Sequence, residues 1–351
     1  MQGGSALKDI LSMLPEEIAD DFREKNLPSF RAGQVSEWLA KGVSSFTEMR
    51  NLPKTLQESL QAEYELYRPS ILKKQVSAED GTVKYLLELK DGNAVESVLM
   101  KYRYGNTICV STQVGCRQGC AFCASGIGGL IRQMEPSEIL NEVVSAEKDS
   151  GEKVSRIVLM GTGEPLDNFD NVMRFLELAN HPAVLNIGMR HISLSTCGLI
   201  ERFEDLAERD LQLTLALSLH APDDETRTRL MPSNKGRGVD ALMEACIRYF
   251  KQTGRRISFE YAMIRNVNDT PEHAKMLVKR AKEAGAHVNL IPLNDVEEYR
   301  YKPSARKTVD TFRKILEDGG VNVTVRRRLG KDIDASCGQL RRKFEQKREH
   351  T

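Results

Sequence analysis

Over the first 70 residues apolar positions recur at helical spacing without strand-like alternation, as in FRAGQVSEWLAKGVSSFTEM and, after Pro53, LPKTLQESLQAEYEL. This predicts a small helical domain over 1–70. The pattern then changes to two short runs, VKYLLEL and AVESVLMKY, separated by the turn-forming Lys90-Asp91-Gly92-Asn93. Together they predict an antiparallel β-hairpin over 71–104 that connects the helical domain to the rest of the chain. From about residue 107 apolar runs of strand length (TICVST, RIVLM, HISLST, LTLALSLH, RISFEYAMI, HVNLIPL) alternate with amphipathic stretches such as PSEILNEVVSAEKD, NVMRFLELAN and PEHAKMLVKRAKEA. Six strand-then-helix units in succession predict parallel strands with right-handed crossovers, fewer than a full barrel requires. The expected fold is therefore α/β: a partial (βα)6 barrel over 105–330 and a C-terminal extension over 331–351.

No run approaches the roughly 18 apolar residues of a membrane span. The N-terminus MQGGSALKDILSMLPEE also lacks the basic-then-apolar order of a signal peptide, so a cytoplasmic protein with no membrane partner is expected. Cysteines at 109, 116, 120, 123, 197, 246 and 337 make seven, an odd number that argues against a disulfide scaffold and for metal or catalytic sulfur. Lys and Arg total 51 against 50 Asp and Glu, for a net charge of +1. That balance neither requires nor excludes a nucleic-acid partner, and only local basic clusters can speak to one.

The strongest chemical signal is Cys116-Arg-Gln-Gly-Cys120-Ala-Phe-Cys123, directly after the first barrel strand and followed by the glycine-rich SGIGG. Three thiolates this close can hold three corners of an iron-sulfur cube and leave the fourth iron open. A zinc site completed by Cys109 is the alternative, but structural zinc usually pairs two short Cys/His knuckles, and the sequence shows no second pair. The second strand ends in Met160-Gly-Thr-Gly-Glu-Pro165, a turn whose glycines let backbone approach a ligand closely. Ser195, Ser218-Leu219-His220 and Asn294 fall at later strand ends, the rim where barrel enzymes place their sites. Cys246, mid-helix, and Cys197 read as small buried hydrophobes.

The C-x3-C-x2-C spacing, with an aromatic residue before its last cysteine and the strand-end marks downstream, resembles the radical S-adenosylmethionine (SAM) superfamily over about 105–330. The resemblance implies one 4Fe-4S cluster on Cys116, Cys120 and Cys123, whose open iron chelates the amino and carboxylate groups of SAM. It also implies SAM contacts from Gly163, Glu164, Ser195, Ser218, Leu219, His220 and Asn294. ICVSTQVGC, MGTGEPLDN, ALSLHAPDDETR and DIDASCGQL together resemble the RlmN branch, adenosine methyltransferases acting on 23S ribosomal RNA and transfer RNA, and this match covers nearly the whole chain. That branch implies Cys337 as methyl carrier, Cys109 as resolving thiol whose attack leaves a disulfide bond, and Glu96 as proton acceptor. It further implies two SAM per turnover and an electron donor such as flavodoxin or ferredoxin. The sister activity, Cfr-like methylation at carbon 8, uses the same apparatus, and Pro165 favours carbon 2. Candidate RNA contacts are Arg326, Arg327, Arg328, Lys331, Arg341, Arg342 and Lys343, with Arg31, Lys41 and Lys54 in the helical domain.

Overall fold

In the computed structural model, which describes residues 7–293, 301–334, 340–342 and 344, the helical N-terminal pattern gives α1 (Pro15–Glu24), α2 (Ser29–Ala40) and α3 (Lys54–Glu63). Pro15 starts α1 where its missing N–H costs nothing. Ile18, Phe22, Val35, Met49 and Leu60 close a core of their own. A parallel bridge between Lys8–Asp9 and Tyr64–Glu65 ties the two ends of this unit together. Arg174 to Glu17, at 2.7 Å, and the Ser137 N–H to Ser12 Oγ, at 3.1 Å, fasten it to the larger body.

Ten strands form the main sheet: β1 (Ser70–Val76), β2 (Val83–Glu88), β3 (Ala94–Tyr102), β4 (Gly105–Cys109), β5 (Val154–Leu159), β6 (Ile192–Thr196), β7 (Thr214–Ser218), β8 (Ser258–Met263), β9 (His287–Pro292) and β10 (Val323–Val325). Each strand lies beside its predecessor in the chain. β1 to β4 pair antiparallel, and β4 to β10 run parallel. The six expected barrel strands are present, and the expected hairpin is β2–β3, turning at Gly92 with its φ of 80°. The hairpin also extends the barrel sheet, because β3 pairs with β4 from Val98↔Cys109 to Tyr102↔Gly105.

Two strands carry no signal in the apolar pattern. β1 is an edge strand with five of its seven residues exposed, and the lysines of SILKKQV suit such an edge. β10 is only three residues long. The crossovers are α4 (Pro136–Ser150), α5 (Phe169–Asn180), α6 (Phe203–Glu208), α7 (Asp224–Leu230), α8 (Val239–Thr253), α9 (Pro271–Glu283) and α10 (Arg306–Asp318). They cover one face of the sheet, where Leu99, Ile108, Ile157, Leu194 and Leu215 join the main core. Among the described residues no helix is long and apolar enough to cross a membrane.

Candidate functional site

Beyond Cys109, the chain forms a short ribbon in which Gln113–Gly115 pairs with Leu130–Gln133, the neck of the loop that carries the cysteine motif. Gly115 is at φ 80°, and a Cβ there would lie 2.1 Å from the Gly129 oxygen, so only glycine fits the neck. Cys116 N–H donates to the same oxygen at 2.9 Å and closes the loop. Cys123 N–H donates to Cys120 O at 3.1 Å, and Ala121 N–H reaches Leu230 O at 2.8 Å. Phe122, the aromatic inside the motif, meets the His220 ring edge-on with centroids 4.9 Å apart. The loop is thereby pinned to the end of β7.

Burial pushes the Cys116 thiol up to about 12 and raises Cys120 as well, and the charge of Cys123 adds to both. Three neighbouring thiols in this setting ionise together only with a positive centre among them, as iron supplies. Among the described residues no three His, Cys, Asp or Glu side chains gather around one point as a single metal ion needs. A cubic cluster asks for a different arrangement, because each thiolate binds its own iron. Three thiols on one loop, with no second Cys/His pair in the sequence, are the donor set such a cube takes.

The glycines after β5 face this loop. A Cβ on Gly161 would sit 2.6 Å from Val110 O, and one on Gly163, at φ 116°, would sit 2.7 Å from Thr112 Oγ1. Backbone therefore packs on backbone at this strand end, and Thr112 Oγ1 is buried there without a partner among the described residues. Glu164 is buried, and its carboxylate accepts from Cys197 N–H at 2.7 Å and Leu166 N–H at 3.1 Å. It ties the end of β5 to the end of β6, while burial raises its pKa.

Ser195 and Ser218, on adjacent strand ends, have their hydroxyls 3.2 Å apart. Leu219 is fully buried in the main core, its N–H donating to Glu260 O at 3.1 Å and its carbonyl accepting from Arg227 Nε at 3.1 Å. His220 takes a left-handed φ of 56°, and its Nδ1 accepts from Ala262 N–H at 3.0 Å, which leaves the ring proton on Nε2. Burial, followed by the charge of Arg227, holds its pKa down to about 3, so the ring is neutral. Asn294 lies outside the described residues, as does Cys337.

Arg227 ends the ALSLHAPDDETR motif, but nothing in the sequence pattern marks it as buried. It sits on α7 in an acidic stretch that reads as solvated surface, yet it is buried and donates to Leu219 O (3.1 Å), Cys197 O (2.6 Å), Ser218 O (3.2 Å) and Asn234 Oδ1 (2.7 Å). Burial lowers its pKa to about 10, which still leaves a cation at neutral pH, holding the ends of β6 and β7 and facing the charge of Cys120. Cys197 and Cys246 are buried, as expected, although the Cys197 backbone serves both Glu164 and Arg227.

Glu96 and Cys109 occupy the other face of the sheet. Strand alternation places Glu96 and Val98 on one side of β3, and Val98 is paired with Cys109. Cys109 packs with Val98, Met100 and Met160 beneath Leu329. Glu96 is only 4% exposed, unlike the solvated residue a lone hairpin glutamate suggests. Its Oε2 lies 2.9 Å from Lys84 Nζ and its Oε1 accepts from Arg341 N–H at 2.6 Å. Lys84, a second residue without a sequence signal, also donates to Asp334 O at 2.6 Å. The C-terminal extension docks along this edge through Gly330 N–H to Asp80 at 2.8 Å, Ser77 Oγ to Asp332 at 2.6 Å, and Leu340 against Leu86 and Ala94. Asp334 and Arg341 thus flank, in sequence, the segment that contains Cys337.

The basic candidates divide. Arg327, Arg328 and Lys331 are exposed, whereas Arg326 turns inward, with Nη1 3.9 Å from the Met160 sulfur and its side chain in a cavity with Glu260 and Asn289. On α2, Arg31 lies over the exposed Phe30 ring at 4.7 Å, and just beyond that helix Lys41 lies over Trp38 at 4.9 Å; Lys54 is exposed. Lys343 is outside the described residues.

A model of the radical SAM superfamily matches residues 110–281, and one for the ribosomal RNA large subunit methyltransferase N-terminal domain matches residues 8–66. A protein of Desulforamulus reducens described as a probable dual-specificity RNA methyltransferase RlmN is 52% identical over 342 residues, covering 97% of each chain. One of the same description from Clostridium tetani is 47% identical over 96% of each. The crystal structure of a radical SAM methyltransferase from Sphaerobacter thermophilus superposes with a TM-score of 0.90 at 36% identity, covering 95% of this chain and 98% of the other.

Proposed function

The chain belongs to the RlmN family of radical SAM RNA methyltransferases, and from that footing we propose that it methylates carbon 2 of adenosine in 23S ribosomal RNA and transfer RNA by way of a methyl group carried on Cys337. The observation that carries this reading is the shared face of Glu96 and Cys109, with Glu96 bonded to the backbone just beyond the Cys337 segment. Residues 1–70 act as an RNA-gripping accessory unit, 71–104 as connector, 105–330 as the catalytic barrel and 331–351 as the carrier of Cys337.

Carbon 2 of adenine has no nucleophilic lone pair, so it cannot displace the methyl group of SAM directly. In the proposed cycle the Cys337 thiolate takes that methyl instead, and S-adenosylhomocysteine leaves. The residues present fit a cluster on Cys116, Cys120 and Cys123, which when bound supplies the electron that converts a second SAM into methionine and a 5′-deoxyadenosyl radical, the abstractor of one hydrogen from the S-methyl group. The Cys337 methylene carbon then bonds to carbon 2, and the ring regains its aromaticity by giving up the carbon 2 proton and by passing one electron back to the oxidised one-electron carrier, flavodoxin or ferredoxin. Glu96 accepts that proton. Cys109 thiolate attacks the Cys337 sulfur, the sulfur–methylene bond breaks, solvent protonates the released carbon, and the two cysteines are left as a disulfide that an external dithiol reduces before the next turnover.

In this reading Ser195, Ser218, Leu219, the neutral His220, the Gly163–Glu164 turn and Asn294 line the SAM side. The aromatic and basic pairs Phe30–Arg31 and Trp38–Lys41, together with Arg327, Arg328 and Lys331, receive RNA. Flavodoxin or ferredoxin supplies the electron. Under anaerobic turnover with a one-electron reductant, S-adenosylhomocysteine, 5′-deoxyadenosine and methylated adenosine are expected in equal amounts. Methylated RNA formed without 5′-deoxyadenosine, or without S-adenosylhomocysteine, contradicts the route through Cys337.

A further inference from the structure

The face of the sheet turned away from the helices holds a cavity of about 320 Å³. Met100 and Met160, which pack with Cys109, form one part of its wall, and Glu260 and Asn289, register partners on β8 and β9, form another. Glu260 is only 4% exposed, and among the described residues no cation pairs with it. Its Oε1 accepts from Ser258 Oγ at 3.0 Å and its Oε2 from Asn289 Nδ2 at 2.8 Å. Two such donors do not replace the water a carboxylate gives up. Burial, against the smaller pulls of Arg326, Asn289 and Ser258, raises its pKa toward the neutral acid. Asn289 Nδ2 can only donate, which fixes Oε2 as an acceptor, whereas the Ser258 hydroxyl tolerates a proton on Oε1, and each oxygen keeps a lone pair to spare. Thr107 lines the same cavity, and its hydroxyl is buried without a hydrogen-bond partner among the described residues. The rim suits RNA: Tyr104, 61% exposed, stacks on Tyr102 with centroids 5.0 Å apart, Arg156 lies over it at 4.7 Å, and the exposed Arg190 lines the cavity with them. Stacked aromatics with arginine hold the bases and phosphates of an unpaired strand, and a base turned out of that strand can enter a cavity behind them.

We propose that Glu260 is the specificity-determining residue of this cavity and reads the N1–N6 edge of the target adenine. The inference rests on the proposed methylation of adenosine. Glu260 Oε2 accepts a hydrogen from the N6 amino group, and Oε1, carrying the proton of the acid, donates to N1. Carbon 2 is the ring atom next to N1, so the same contact fixes the reacting carbon, whereas carbon 8 lies on the other ring. Guanine and hypoxanthine present N1–H and O6 instead. They would need a donor at Oε2, the position that Asn289 keeps as an acceptor.

The test uses the full cluster-loaded chain with SAM and a transfer RNA hairpin that carries adenosine, purine riboside or inosine at the methylated position. Purine riboside lacks the N6 group, and inosine keeps a hydrogen on carbon 2 but reverses the edge. With no reductant present, wild type is expected to bind the purine hairpin roughly tenfold to a hundredfold more weakly than the adenosine hairpin, and the inosine hairpin more weakly still. Glu260→Gln, whose amide offers the same acceptor and donor, should keep this order. Glu260→Leu should bind the adenosine and purine hairpins equally well. With reductant the same ratios should appear in kcat/KM, a change of preference that general loss of packing does not produce. Should the leucine disturb the fold, Glu260→Ala, which only enlarges the cavity, makes the same comparison. An adenosine preference that survives in Glu260→Leu, its loss in Glu260→Gln, or a wild type that binds the three hairpins alike overturns the proposal. A wild type that methylates carbon 8, or no RNA at all, counts against the proposed function separately, and the order of binding still decides what Glu260 reads.

Discussion

Purified after expression, the Cys109→Ala protein is expected to carry RNA covalently, as a slow band on a denaturing gel that ribonuclease removes, while Cys337→Ala protein carries none. Without Cys337 there is no sulfur to take the methyl group, so no carbon reaches adenine and methylation is abolished. Without Cys109 the methyl carrier is intact and the bond to carbon 2 forms. What is missing is the thiolate that must attack the bridging sulfur, so the chain halts joined to its substrate. Cys109 suits that task by position: it ends β4 on the face that holds Glu96, packed beneath Leu329, just before the C-terminal extension begins. Removing Glu96 should stall the same stage with a rate loss of roughly 10²–10⁴-fold, the usual worth of a positioned general base. Equal behaviour of the two cysteine variants would return both to the status of buried hydrophobes.

Replacing Cys116, Cys120 or Cys123 with Ala is expected to remove the iron-sulfur cluster and all 5′-deoxyadenosine formation while the chain still folds. The loop that carries them is held by its own ribbon neck, by Ala121 N–H on Leu230 O and by Phe122 against His220, none of which uses a thiol. The main core beneath is extensive, so each substitution should cost no more than the roughly 0.5–3 kcal/mol of an ordinary point change. Iron and sulfide content with visible absorbance measure the first effect, and thermal melting measures the second. Full iron in all three variants, or zinc as the resident metal, would refute the assignment.

How legible each feature is in the chain depends on how locally it is determined. β5 to β9 lie in the middle of a parallel sheet covered by helices, so they announce themselves as apolar runs. β1 does not, because an edge strand shows its polar residues to water. The cysteine motif and the glycine turn after β5 are contiguous in sequence and equally plain. Lys84, Glu96 and Arg227 are a different case, since their burial depends on partners distant in sequence or in neighbouring loops. Lys84 is covered by a carbonyl 250 residues away, and Arg227 by the ends of two strands that precede it. No periodicity within a strand or helix encodes such a meeting, and a charged residue in a short element otherwise reads as solvated.

The central claim, a methyl group placed on carbon 2 of adenosine in both RNA classes, is tested most directly by anaerobic reaction of the cluster-loaded enzyme with SAM, a reductant and unmodified 23S ribosomal RNA or transfer RNA side by side. Digestion to nucleosides and mass spectrometry against authentic standards then locate the methyl group. The account predicts 2-methyladenosine from both RNAs, and none from either when Cys337 is replaced by Ala. A product of 8-methyladenosine, or 2-methyladenosine formed by the Cys337→Ala enzyme, would contradict it.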